Sequence, residues 1–188
     1  MIDQIAEVPM FIGKNIIGNI FIGIALIILV RLIFKEKIET KISLELIRWI
    51  VIIYCVITCI SWLLLLIFPY SEKYAFLERA TGPYAWAYGL MLLLNCVFPL
   101  ILLSKNIGKR IYIVFFITLF MNVGWIFEYL VIAVASFHRD YYNSSYTDFI
   151  LNNRQINALV KGFFIGIVFL ILGNGIKKWK NNNQQQFV

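Results

Sequence analysis

Glu128 and the run His138-Arg139-Asp140 are the side chains in this sequence best suited to proton chemistry. Glu128 lies in a mostly apolar stretch, residues 121–136, and the run follows at its end. A charged side chain at the centre of a bilayer costs about 2.5–3.5 kcal/mol on insertion scales, so such a residue is usually paired or used. These four residues are therefore the candidates for proton handling.

Two roles are open for Glu128. It either exchanges protons or contacts a bound polar ligand, or it pairs with a basic residue for structural reasons. Helical spacing puts Gly124 and Trp125 beside it, and the sequence offers no Lys or Arg at a matching depth. We therefore expect either a protonated, neutral Glu128 or a partner from another subunit.

The composition indicates that these residues lie in a membrane protein. The chain has 188 residues, of which 61% are hydrophobic and 14% charged, whereas about 25% charged residues is usual in soluble domains. Apolar runs of about 20 residues form spanning helices, and the alternation of a β-barrel is absent, so we predict an all-α integral membrane bundle. Five transmembrane helices are predicted, at residues 16–34, 46–68, 84–104, 111–136 and 158–176.

The basic residues predict the topology of this bundle. Of the 17 basic residues, 11 fall on one predicted side, namely Arg31, Lys35, Lys37, Lys41, Arg48, Lys105, Lys109, Arg110, Lys177, Lys178 and Lys180. The positive-inside rule then places the N-terminus outside, the C-terminus in the cytoplasm and the His-Arg-Asp run on the outer side. This distribution accounts for the net charge of +7 without nucleic acid as a partner.

The sequence divides into three parts. Residues 1–15 predict an interfacial N-terminal segment, residues 16–176 form the five-helix bundle, and residues 177–188 predict a basic, disordered cytoplasmic tail. The alternating charges of residues 35–43 predict a solvated connector. In the fifth helix, Gly162 and Gly166 form a GxxxG pattern, which permits close helix packing.

Asn95 and Asn122 are polar residues at membrane depth. Pro99 follows Asn95 by four residues and removes the hydrogen bond to the carbonyl of residue 95, so the third helix should be kinked there. The polar spot is either a wet or ligand-facing notch or, as we favour, a hydrogen bond between helices. Asn122, in the fourth predicted helix near the midplane of the membrane, is the second candidate for this notch.

Metal or haem binding by this chain alone is not expected. Cys55, Cys59 and Cys96 lie in predicted spans and form no CxxC pair, so we interpret them as small packing residues. The sequence contains a single histidine, which excludes a bis-histidine haem within the chain.

Two stretches carry the pattern of a known family. Residues 71–102, SEKYAFLERATGPYAWAYGLMLLLNCVFPLIL, and residues 121–141, MNVGWIFEYLVIAVASFHRDY, lie in this order on consecutive predicted helices. They resemble the C-terminal half of the NrfD/PsrC family of polysulfide-reductase-type membrane subunits, especially the quinol-oxidising membrane subunits of alternative complex III. The matching positions are Glu78, Arg79, Gly82, Pro83, Tyr84, Trp86, Tyr88, Asn95, Pro99, Asn122, Gly124, Trp125, Glu128, His138, Arg139 and Asp140.

The resemblance implies a multi-pass subunit of a respiratory complex in the bacterial plasma (inner) membrane. It implies quinol as the electron donor, partners that carry haem and Fe–S clusters, and a further chain that supplies an N-terminal bundle. The quinol pocket of such subunits is assigned to that N-terminal bundle, so no quinol-binding residue is transferred here. Tyr129 stands where the family pattern has arginine, and a Glu-Arg relay therefore does not transfer to Glu128.

Two other functions are considered. The alternative is a non-catalytic scaffold or assembly subunit of a membrane complex. A small-solute carrier is less favoured, because the sequence shows neither an internal repeat nor paired broken helices. In each case we expect the chain to bind no cofactor alone.

Overall fold

The computed structural model describes residues 2–35, 38–67, 81, 85–104, 106–123 and 153–185, and within these ranges the chain is helical without a strand. The helices are α1 (Ile2–Ile12), a first π-helical segment (Gly13–Ile17), α2 (Gly18–Phe34), α3 (Lys41–Ile67), α4 (Ala85–Leu92), a second π-helical segment (Leu93–Val97), a 3₁₀ helix (Phe98–Leu103), α5 (Ile111–Met121) and α6 (Asn153–Gln185). α1, the first π-helical segment and α2 follow one another without a gap and form one continuous helix. α4, the second π-helical segment and the 3₁₀ helix do the same.

Within the described residues three helices are long and apolar enough to cross a membrane, and the chain is a helical membrane protein. They are Glu7–Phe34 with 28 residues, Lys41–Leu65 with 25 and Ile156–Asn183 with 28. At about 1.5 Å per residue each exceeds a hydrocarbon core of about 30 Å. The predicted third and fourth spans overlap the shorter apolar helices Gly89–Leu103 and Ile111–Met121. The count of five spans and the orientation therefore stay predictions.

The core is built on one face of α2. Ile20, Ile24 and Ile27 recur every three or four residues, so they share that face, and all three are completely buried. Facing them are the buried side chains of α3 and α5, namely Ile47, Val51, Val114 and Ile117. Lipid is as apolar as these side chains, so close van der Waals packing holds such a core together.

The GxxxG pattern of α6 packs closely against α2, as the sequence predicted. A Cβ atom added to Gly23 of α2 would lie 3.1 Å from the carbonyl oxygen of Gly162 and 3.1 Å from the amide nitrogen of Gly166. Three glycines therefore meet where the helices cross. The absence of side chains there brings the two backbones into contact.

The two ends of the chain differ from the sequence prediction. In the predicted interfacial N-terminal segment, residues 1–15, α1 already begins at Ile2 and carries Pro9 inside it. Instead of a disordered tail from Lys177, α6 continues as a helix to Gln185. Lysine and glutamine are good helix formers, and extending a helix that already exists is far easier than nucleating one.

The connector between α2 and α3 is more buried than its alternating charges predict. Thr40 and Ser43 are buried, and the amide nitrogen of Glu39 donates to Oδ1 of Asn174 over 3.0 Å. A Cβ atom on Gly173 would lie 2.9 Å from the amide nitrogen of Ser43. The small residue on α6 thus lets the start of α3 approach, which a local charge pattern does not reveal.

Candidate functional site

The described residues include two of the six candidates from the sequence. Glu128, His138, Arg139 and Asp140 lie outside the described residues, and so do Gly124, Trp125 and Tyr129. Asn95 and Asn122 are described, and their surroundings give the geometry of the predicted polar notch.

Asn122 lies at the end of α5 and is turned into the bundle. It is only 7% exposed, and its Nδ2 donates to the carbonyl oxygen of Thr118 over 2.8 Å. A Cβ atom on Gly18 would lie 3.6 Å from Oδ1 of Asn122. The side-chain amide therefore faces the first helix at the glycine that follows the π-helical segment.

The first π-helical segment is supported by neighbouring amides. In a π turn each backbone amide donates to the carbonyl five residues earlier, and in an α-helix to the carbonyl four residues earlier. The carbonyls around the turn therefore do not all keep their α-helical partners. Asn19, which is buried, donates from Nδ2 to the carbonyl oxygens of Asn15 at 3.1 Å and Lys14 at 3.3 Å. Oδ1 of Asn15 accepts a bond of 3.0 Å from Nζ of Lys161 on α6. The irregular turn is thereby tied to a second helix.

Tyr54 of α3 contacts the same turn from the other side. Its hydroxyl oxygen would lie 2.7 Å from a Cβ atom added to Gly13, and only 9% of the residue is exposed. We call Gly13, Gly18, Asn19, Tyr54 and Asn122 the polar seam. It joins the first helix to α3 and α5, because each of those two helices brings one polar side chain to the π-helical turn.

Of these residues, only Asn122 was predicted from the sequence. A signal for the residues of the first helix lies in residues 13–19, GKNIIGN, where two glycines and two asparagines interrupt an apolar run. Glycine at these positions allows close approach of Tyr54 and Asn122, and asparagine offers donors for carbonyls released by a π turn. Tyr54 had no local signal, since its position is set by tertiary packing.

Asn95 occupies the second π-helical segment and is separate from the polar seam. It is half-buried, and its Nδ2 donates to the carbonyl oxygen of Met91 over 2.9 Å. This bond stays within one helix, and the wet notch and the interhelical bond stay predictions. Asn95 and Asn122 thus perform the same task on different helices.

The predicted break lies at Pro99, and the carbonyl of Cys96 stands three residues before it. The helix changes from π to 3₁₀ geometry between Val97 and Phe98 and stays 3₁₀ to Leu103. The thiol of Cys55 lies 2.9 Å from the carbonyl oxygen of Cys96 and that of Cys59 3.5 Å.

Two of the three cysteines therefore do more than fill space. The thiols of Cys55 and Cys59, one turn apart on α3, both donate to the backbone carbonyl of Cys96. A thiol is a weak donor, yet an unpaired carbonyl in an apolar medium is expensive. All three cysteines are free. Across the described ranges, no three His, Cys, Asp or Glu side chains are grouped to hold a metal ion.

The chemistry of both irregular sites is neutral hydrogen bonding at membrane depth. In the polar seam and at the Cys96 carbonyl, side-chain amide and thiol donors bond to backbone carbonyls. Such sites can hold helices in register and can offer polar contacts to a neighbour. Comparisons with protein-family models and with curated proteins gave no match to this sequence.

Proposed function

We propose that this protein is a membrane subunit, or half of one, in a respiratory quinol oxidoreductase complex of the alternative complex III type. It lies in the bacterial plasma (inner) membrane as five helices, with the N-terminus outside and the C-terminus in the cytoplasm. It contributes to quinol-linked electron and proton transfer or to the membrane scaffold of the complex. It is not catalytic alone.

The observation that carries the proposal is the pair of motifs in residues 71–102 and 121–141. They occur in the family's order on consecutive apolar segments, which a single GPY or HRD match would not provide. Their described members add support. Pro99 lies in the first turn of a 3₁₀ helix, Asn95 lies in a π turn, and Asn122 is buried against the first helix. These positions therefore carry specific structural tasks, as motif residues should.

In this proposal Glu128 exchanges protons within the complex, and His138, Arg139 and Asp140 continue that path at the outer surface. Quinol binds in an N-terminal bundle that another chain supplies. Electrons then pass to partner subunits that hold haem and Fe–S clusters. This chain itself holds no redox group.

Affinity purification of the full chain from its native membranes tests the assembly. We expect haem- and Fe–S-bearing proteins to co-purify, together with quinol-dependent reduction of an acceptor. A stable chain isolated without such partners would refute the proposal. In the purified complex, Glu128→Gln should lower turnover by about tenfold or more if the carboxyl group transfers protons. Glu45→Gln, which changes a carboxylate that is 42% exposed and paired with Arg48, is the matched control and should leave turnover unchanged.

A scaffold role is the second candidate, and one observation favours it. The amides of Asn19, Asn95 and Asn122 all donate to backbone carbonyls of their own helices, so the described polar groups at membrane depth serve architecture. If the protein is a scaffold, Glu128→Gln changes the yield of complex and leaves turnover per complex unaltered. Measuring both quantities on one preparation separates the two functions.

A further inference from the structure

One end of the bundle gathers segments that are distant in the sequence. The ion pair between Nζ of Lys177 and Oε2 of Glu39, at 3.0 Å, joins the end of α6 to the connector before α3. Nε of Arg48 reaches the carbonyl oxygen of Leu102 over 2.7 Å and joins α3 to the end of the 3₁₀ helix. We call this the basic end. Besides Lys177, its described exposed cations are Arg31, Lys35, Lys41, Lys109, Arg110, Lys178 and Lys180.

The acidic groups described at this end do not neutralise those cations. Glu39 pairs with Lys177, whose side chain is 46% exposed, and Glu45 pairs with the buried Arg48, so neither pair uses one of the seven cations named above. Both carboxylates are thus already matched one to one. The seven exposed cations leave a concentrated positive field at this end, and the part of the chain that is described offers no further acidic group there.

Exposed apolar side chains lie directly beside the cations. Ile33 and Phe34, exposed by 71% and 46%, precede Lys35, and Trp179, exposed by 67%, stands between Lys178 and Lys180. Ile107, exposed by 39%, precedes Lys109. A soluble acidic protein or a free phosphate would satisfy only the charges. A molecule with an anionic head and an apolar tail would satisfy both.

We propose that the basic end binds anionic phospholipids, with their phosphates on these lysines and arginines and their acyl chains against the neighbouring apolar side chains. Each basic residue close to an anionic bilayer surface adds to such attraction, and the effect fades within a Debye length. Indole rings favour the same interfacial depth, which fits Trp179. The inference needs only that the chain spans a membrane and is independent of the redox role.

Native mass spectrometry of the purified full chain, titrated with phosphatidylglycerol or phosphatidylcholine, tests this inference. The wild type should retain phosphatidylglycerol in preference to phosphatidylcholine. The triple variant Lys109→Gln/Lys178→Gln/Lys180→Gln should lower that preference by at least about fivefold. The matched control Lys109→Arg/Lys178→Arg/Lys180→Arg keeps the charges and should keep the preference.

Several outcomes would overturn the inference. They are equal retention of the two lipids by the wild type, an unchanged preference in the glutamine variant, and an equal loss in the arginine variant. A further outcome is an acidic protein that co-purifies with the wild type and is lost from the glutamine variant while both retain the same lipid. That result would identify a protein partner instead of a lipid. If the glutamine variant fails to fold, salt serves as the second measurement on the wild type. The preference should fall between about 0.05 and about 0.5 M salt, and a constant preference would also overturn the inference.

Discussion

Arg48, which is only 4% exposed, donates from Nε to the carbonyl oxygen of Leu102 over 2.7 Å. Nη2 of the same guanidinium donates to the carbonyl oxygen of Leu103 over 3.4 Å. The last carbonyls of a helix have no partner within it, and here a guanidinium from another helix supplies the donors. The sequence placed Arg48 among the cations of the predicted cytoplasmic side. Its burial against α3 and the 3₁₀ helix became evident only in three dimensions.

Replacing Arg48 by methionine should destabilise the protein by about 2–3 kcal/mol. The change keeps an unbranched side chain that reaches about as far as Nε and removes a charge-assisted hydrogen bond, so the carbonyl of Leu102 loses this donor. Unfolding in mixed micelles by a denaturing detergent measures the difference. Lys109→Met, at an exposed position nearby, should change the free energy of unfolding by less than about 0.5 kcal/mol. Equal effects of the two substitutions would contradict the capping role.

Alanine at Gly162 should weaken the crossing of α6 and α2. The added Cβ atom would lie 2.6 Å from Cβ of Ile22 and 2.8 Å from the carbonyl oxygen of Asn19. The helices must then separate, and the expected loss is about 1–3 kcal/mol of unfolding free energy.

Gly175, on the same helix, is the matched control, since no atom lies within 4 Å of its added Cβ. Gly175→Ala should stabilise the helix by up to about 1 kcal/mol. Opposite signs for the two substitutions in the same unfolding assay are the decisive result. A neutral or stabilising Gly162→Ala would show that the crossing tolerates separation.

The features that the sequence predicted well are those set by neighbouring residues. The apolar runs predicted helices, because a run of about 20 apolar residues is the length that a membrane-spanning helix needs. The GxxxG pattern at Gly162 and Gly166 likewise predicted close packing, because small residues at that spacing form a groove.

The features that the sequence missed depend on contacts between distant segments. Pro99 signalled a break, but the donors that reach the Cys96 carbonyl come from α3, 41 and 37 residues away. The π turn at Gly13 meets Tyr54 and Gly18 meets Asn122, which lie on two other helices. The candidate proton-handling residues, Glu128 and His138-Arg139-Asp140, lie outside the described residues and stay predictions.

Removing the thiol of Cys55 should cost more than removing that of Cys59. The Cys55 thiol lies closer to the Cys96 carbonyl, and Cys55 is completely buried whereas Cys59 is half-buried. Cys55→Ala should therefore lose about 1–3 kcal/mol through a small cavity and an underpaired carbonyl. Cys55→Ser, which restores a donor, should recover part of this loss.

Infrared spectroscopy gives a second measurement for Cys55. Hydrogen bonding lowers the S–H stretching frequency, so the low-frequency component should disappear in Cys55→Ala and persist in Cys59→Ala. If both alanine variants unfold like the wild type and the S–H band does not change, the thiols only fill space.

Acidification should weaken the contact between Glu39 and Lys177. Burial raises the pKa of Glu39, but the hydrogen bonds from Lys177 and the Lys41 amide and the charge of Lys177 outweigh this, so its pKa lies below the ordinary 4.5. A carboxyl group whose pKa is lower in the folded state stabilises the fold above its unfolded pKa. That stabilisation is lost as the pH falls through the folded pKa.

Glu39→Gln should accordingly be less stable than the wild type at about pH 7, and the gap should close as the pH falls through the folded-state pKa of Glu39. Unfolding free energies of both proteins across this range give the measurement. Glu45→Gln is the control, because the Glu45 side chain is 42% exposed and its partner Arg48 keeps its hydrogen bonds to the carbonyl oxygens of Leu102 and Leu103. At about pH 7 it should lose less stability than Glu39→Gln. A gap between wild type and Glu39→Gln that is independent of pH would mean that Glu39 acts through its backbone amide, which donates to Asn174, rather than through its charge.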